Sequence, residues 1–174
     1  MRLFIAFSTP SEPLYAIQQH FLFPGISLTK TFHSTLKFLG EVDESHIKTI
    51  ISLLHSVFFQ PFTLAYHELG VFPSKDYAKV LWVSLAPPEK PRRLHEDIDH
   101  ALASLFPYKQ NFVPHVTLGR IKSLQDRTSF NKALETITAP SIHFTVDSFS
   151  LFKSELTQDG SHHTLLETFP ARGH

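Results

Sequence analysis

The chain has 174 residues, 42% of them hydrophobic, with 17 Phe, 12 His and no Cys. Lys and Arg number 16 and so do Asp and Glu, so no bulk positive field draws in nucleic acid, and any such contact must rest on a local basic patch. The lack of Cys excludes a disulfide scaffold, a thiolate metal site and a cysteine nucleophile, while the length suits one domain, 1–174, made of two small lobes.

In chain order, residues 2–8 read as a strand: the apolar run is too short for a signal sequence, and Ser8-Thr9-Pro10 follows at once. Residues 11–22 read as a helix, with Ser11 as N-cap and Leu14, Ile17 and Phe21 on one side. Pro24-Gly25 forms a loop into a strand at about 31–39. Asp43 caps the next helix, whose stripe runs Ile47, Ile50, Ile51, Leu54, Phe58. Residues 62–70 and 79–85 form a strand pair with Trp82 in the core. Helices follow at about 91–106 and 126–137, with a strand at 112–120 between them. Strands at about 142–153 and 163–169 close the chain. No stretch reaches the roughly 18 apolar residues of a membrane span. No Gly-rich phosphate loop follows a strand, which argues against a dinucleotide-binding or P-loop fold. The pattern favours an α+β architecture with two antiparallel sheets and outer helices.

One short pattern recurs in the two halves. Phe32-His33-Ser34-Thr35-Leu36-Lys37-Phe38-Leu39-Gly40 returns as Pro114-His115-Val116-Thr117-Leu118-Gly119-Arg120. In a strand, residues i and i+2 share a face, so His33 with Thr35, and His115 with Thr117, each present an imidazole and a hydroxyl to one space. Imidazoles titrate near neutral pH and suit general acid–base work. Hydroxyls suit the non-bridging oxygens of a phosphate diester, where charge must be held in the transition state. No metal or other cofactor is required. RNA is a suited substrate, because its 2′-OH forms a cyclic phosphate.

Strict alternation puts Arg120 opposite His115, so Arg120 reaches the site only if the strand twists or ends there. Lys90, Arg92, Arg93, Lys109, Lys122 and Arg127 are the other cations available for a basic patch. A third match, His162-His163-Thr164-Leu165, follows the turn-like Gln158-Asp159-Gly160-Ser161. It lacks the Phe-Leu-Gly tail and the Pro-His entry, and is set aside as a decoy on the surface. His20, His46, His55, His95 and His100 fall in helices without metal-ligand spacing.

The paired stretches resemble the motifs of the two-histidine phosphoesterases, above all the RNA 2′,3′-cyclic phosphodiesterase group, also called 2′-5′ RNA ligases. Arg2-Leu3-Phe4-Ile5-Ala6, Leu69-Gly70-Val71-Phe72-Pro73, Val80-Leu81-Trp82 and Phe149-Ser150-Leu151-Phe152-Lys153-Ser154 with Gly160 extend the resemblance over nearly the whole chain. It implies a bilobal α+β fold, two antiparallel sheets with outer helices around a central cleft and a pseudo-twofold axis. It implies metal-independent opening of a 2′,3′-cyclic phosphate to a 2′-phosphate, and the related joining of a 5′-OH end in a 2′-5′ link. His33, Thr35, His115 and Thr117 are the implied catalytic pairs, and Arg120 the implied substrate-binding arginine. Three departures stand out: Ser34 for an aliphatic residue, His163 for a Tyr, and Thr31-Phe32 for Asn-Leu.

The expected protein is therefore a monomeric, cytoplasmic hydrolase. It acts on RNA ends bearing 2′,3′-cyclic phosphate, with His115 as base and His33 as acid. A phosphodiesterase of a small cyclic nucleotide and a non-catalytic RNA-end binding module are the alternatives.

Overall fold

The computed structural model describes residues 1–108 and 111–173, so Lys109 lies outside the described residues. The strands are β1 (Arg2–Ser8), β2 (Ile26–Leu28), β3 (His33–Glu41), β4 (Phe62–Pro73), β5 (Ala78–Ala86), β6 (His115–Ile121), β7 (His143–Val146), β8 (Ser148–Thr157) and β9 (Gly160–Pro170). The helices are α1 (Glu12–Gln18), α2 (Ile47–Leu54), α3 (Glu89–Ala101) and α4 (Arg127–Thr136). One sheet has the order β3-β1-β8-β9, the other β2-β6-β5-β4-β7. Every paired strand is antiparallel.

Apolar on both faces, β1 belongs inside its sheet. Leu3, Ile5 and Phe7 enter the main core, while Phe4 and Ala6 face the other way. Fully burying each of the three contributes about 1.5–3 kcal/mol. In the second sheet, Leu81, Val83 and Leu85 of β5 and Val116 and Leu118 of β6 join the same core, with Leu14 and Ile17 of α1 and Leu94 and Ile98 of α3.

Several elements differ from the pattern in the sequence. The single strand expected at 142–153 is two strands in different sheets: Val146 pairs with Phe62, and Ser148 with Pro170. Hydrophobic pattern records a strand's faces, not which sheet it joins. Helix α2 ends at Leu54, leaving Phe58 outside it and 52% exposed. Asp43 accepts from the Ser45 backbone N–H and so caps a 3₁₀ turn ahead of α2. Ser11 makes no side-chain cap. Helix α3 starts at Glu89, ahead of Pro91, because the first turn needs no intrahelical donor. The loop after Gly25 contains β2, which pairs with β6.

Strands β3 and β6 pack beside one another between the sheets. Each carries a bulge at the same point of its motif. Ala6 pairs with Thr35 and Ile5 with Lys37, leaving Leu36 as the extra residue. Trp82 pairs with Thr117 and Leu81 with Gly119, leaving Leu118 extra. A bulge removes one carbonyl from the ladder, and here a buried side chain collects each. The His95 Nδ1–H of α3 donates to the Leu36 carbonyl at 2.7 Å. The Gln18 amide of α1 donates to the Leu118 carbonyl at 2.8 Å.

Beside the first bulge, the Lys37 ammonium donates to Asp99 of α3 at 2.5 Å and to the Pro107 carbonyl at 2.9 Å. Both side chains are buried. Lys37→Met removes the ammonium from a buried carboxylate, Asp99, that also has His95 Nε2 at 3.4 Å. Breaking such a pair costs on the order of 3–5 kcal/mol. Denaturant unfolding should show a loss of that size, and the double variant Lys37→Met/Asp99→Leu should recover much of it.

Candidate active site

The motif strands present identical burial sequences over seven residues, from His33 to Leu39 and from His115 to Ile121. In each, the His and Thr are half-buried, the residues between and after them are buried, and the sixth position is exposed. The bulges explain why. One extra residue after the Thr restores the sixth position to the face of the His. Val80, whose β5 neighbour Trp82 pairs with Thr117, pairs with Arg120, so Arg120 lies on the cleft face with His115 and Thr117. The bulge supplies what strict alternation denied it. Phe38 is its counterpart on β3 and pairs with Phe4.

Aromatic rings support both imidazoles. Phe4 lies 5.1 Å from His33, centroid to centroid. Phe72 stands edge-on to His115 at 5.1 Å, with Trp82 at 6.3 Å. Trp82 is therefore not core: it is half-buried and stacks on Phe72 at 4.7 Å. Gly70 makes room for it, since a Cβ there would come within 2.3 Å of the indole. Ser34 is fully buried and its hydroxyl has no hydrogen-bond partner among the described residues, so the departure from an aliphatic residue leaves an orphaned polar group.

The two histidines differ electrostatically. The His115 Nδ1–H donates to the Val113 carbonyl at 2.7 Å, which fixes the ring and leaves Nε2 for a ligand. Burial lowers its pKa and that hydrogen bond opposes the shift. His33 is pushed down to about 4, first by burial and then by the positive charges of His163, His115 and Arg120. These groups act on one another because the fold brings both motifs and Arg120 together. Arg120 has no carboxylate partner among the described residues.

The third His-x-Thr-Leu divides between its two histidines. His163 is not a remote surface residue: its ring lies 5.2 Å from His33 and 4.8 Å from Phe4. Within β9 alone it sits at a strand start after a turn. Only the pairing of Ser154 with His163, in a sheet that also carries β1 and β3, brings it to the cleft. His162, its neighbour, is exposed. Gln18 and His95, which secure the bulges, are likewise invisible in a reading by motif. A surface cavity of about 1420 Å³ lies on the flank of α3, is lined by Arg92, His100, Tyr108 and Asn111 among others, and contains neither motif histidine. Among the described residues no group of three or more His, Asp or Glu is placed to hold a metal ion.

Two opposed His-x-Thr strands on a bilobal pair of antiparallel sheets define a two-histidine phosphoesterase fold. The chain belongs to the 2′-5′ RNA ligase superfamily, whose model matches residues 7–158. It is 33% identical over 167 residues to the RNA 2′,3′-cyclic phosphodiesterase of Methanocaldococcus jannaschii, covering 92% of this chain and 95% of that protein. It is 34% identical over 134 residues to the enzyme of the same name from Thermotoga maritima, covering 75% and 71%. Among solved structures it is similar to a protein of Thermus thermophilus, with TM-score 0.82, 27% identity and 99% of both chains covered. E. coli LigT in complex with 3′-AMP superposes with TM-score 0.80 at 25% identity over 99% and 98% of the two chains. No helix among the described residues is long and apolar enough to cross a membrane.

The His33 shift has a measurable consequence. Between about pH 4 and 6.5 the unfolded chain binds a proton at this position that the folded chain refuses. Stability contributed here is present above that window and lost as the pH falls through it. His33→Gln should flatten the acid side of a plot of melting temperature against pH. An unchanged slope in the variant would mean that the ring is solvated.

Proposed function

We propose that this chain opens RNA 2′,3′-cyclic phosphate ends to 2′-phosphates, by general acid–base catalysis between His33 and His115. The observation that carries this reading is the pair of His-x-Thr strands with matching bulges, converging on one cleft beside Arg120. The names of the relatives support the substrate class. The protein acts as a monomer in the cytoplasm.

The electrostatics favour an order opposite to the one expected from the sequence. His33, held neutral near pH 7, is suited to take the proton of the attacking water. His115, its Nδ1–H anchored on Val113, is suited to carry a proton on Nε2 and deliver it to the leaving 3′-oxygen. Water attacks phosphorus, the bond from phosphorus to the 3′-oxygen breaks, and the phosphoryl group stays on the 2′-oxygen. Thr35 and Thr117 donate to the non-bridging oxygens, and Arg120 adds a cation. A 5′-hydroxyl in place of water would yield a 2′-5′ link by the same steps.

Incubation with an RNA ending in 2′,3′-cyclic phosphate should give a 2′-phosphate end, with activity kept in EDTA, because two imidazoles supply both proton transfers. Abolition by EDTA with rescue by a divalent ion would overturn the mechanism, and binding of the RNA end without turnover would make the chain a binding module. Efficient turnover of small cyclic nucleotides alone would narrow the substrate.

Leaving-group dependence tests the acid–base order. His33→Ala and His115→Ala should each lose on the order of 10²–10⁴ in rate on the cyclic phosphate. A p-nitrophenyl phosphodiester needs no proton on its leaving group, so His115→Ala should recover most activity on it while His33→Ala does not. The reverse pattern would restore His115 as base.

A further inference from the structure

His33 is surrounded by basic side chains. His163 lies nearest on β9, with His115 and Arg120 on β6. The charged and titratable groups around His163 are mostly basic, and the nearest acidic one is already paired. Its cross-strand partner Ser154 pairs in turn with Arg2 of β1. His162 precedes it, opposite Glu155, whose carboxylate is held by Lys153 at 2.6 Å. Among the described residues no carboxylate pairs with His33, His163 or Arg120. The ring of His163 is half-buried over Phe4, which fixes its position. A phosphate oxygen bonded to an imidazole nitrogen sits about 3 Å from it. With the rings of His33 and His163 only 5.2 Å apart, one phosphoryl group spans both.

We propose that His163 is a third phosphate-binding imidazole, which holds the 2′-phosphate monoester product through a protonated ring nitrogen. This rests on the reading of the chain as a cyclic phosphodiesterase. The cyclic diester carries one negative charge, whereas a monoester carries about 1.5 to 2 near neutral pH. A dianion rewards a cation that the diester supports less well. Burial and the charge of His162 lower the pKa of His163, so the free site is spared a further cation until the product charge draws in a proton. The Tyr that the family resemblance leads one to expect at this position donates a hydrogen bond but brings no charge. The substitution thus adds a pH-dependent grip on product.

The test is calorimetric binding of adenosine 2′-phosphate, which needs no turnover. Wild type, His163→Gln, His163→Tyr and the exposed-neighbour control His162→Gln are compared at about pH 6.5, where the monoester is still mostly a dianion, and at about pH 8.5, above the histidine range. Both His163 variants should bind roughly tenfold more weakly than wild type at the lower pH, the size expected for one lost charge-assisted hydrogen bond. At the higher pH they should bind as wild type does, and His162→Gln, which keeps the ring of His163 and removes a repelling charge, should show no deficit at either pH. A deficit equal at the two pH values, no deficit, or an equal deficit in His162→Gln would overturn the proposal. Failure to open any cyclic phosphate while the binding pattern holds would instead remove the catalytic reading and leave the phosphate site standing.

Discussion

The site depends on two carbonyls displaced from their sheets. A bulge at Leu36 and another at Leu118 turn each motif strand so that the sixth residue rejoins the face of the first. An unpaired buried carbonyl would cost about 1–3 kcal/mol, enough to favour a regular strand in which Arg120 points away. His95 and Gln18 remove that cost, each buried at 4% exposure and each reaching the carbonyl directly. The arrangement is crossed. Helix α1 precedes β3 but secures β6, and α3 precedes β6 but secures β3. Each motif is therefore held by the helix that leads into the other.

That crossing also sets the electrostatics. Bringing β3 against β6 packs imidazoles and a guanidinium together with no carboxylate paired to them among the described residues, so the free site disfavours its own protonation. A bound phosphate reverses this balance. The two histidines respond differently because His115 has the Val113 carbonyl behind it. His33 is backed by Phe4, which offers contact but no hydrogen-bond acceptor. Chemically identical motifs thus acquire unequal proton affinities from what lies behind the ring.

Local information was enough for the four helices, for most of the strands and for the face that each motif His shares with its Thr. Alternation placed His33 with Thr35 correctly because two residues of one strand share a face regardless of the sheet. It failed at Arg120 because a bulge is decided by the neighbouring strand and the donor waiting for the carbonyl. It could not place His163, because that residue meets His33 only through pairings among four strands. Trp82 was assigned to the core. What decides its place is Gly70, whose missing side chain leaves a shelf for the indole on the cleft face. The break between β7 and β8 was hidden for a similar reason: Val146 and Phe149 are both buried, so the apolar pattern runs on across the change of sheet.

The fifth position of each motif shows how one backbone serves two environments. It is Lys37 in β3 and Gly119 in β6, and both are buried. Strand β6 is covered by β2, and a Cβ on Gly119 would meet the Ser27 carbonyl oxygen at 3.1 Å and Leu28 at 3.2 Å. A side chain has little space there, and Gly lets β2 approach. Strand β3 is the edge of its sheet, with no strand beyond it among the described residues. An open edge invites wrong pairing unless it is covered or charged. Lys37 does both, reaching Asp99 on α3 and the Pro107 carbonyl on the segment that leads to His115. The pseudo-symmetry therefore ends where the sheets differ, and the residue that protects the edge of one motif strand also ties it to the approach to the other.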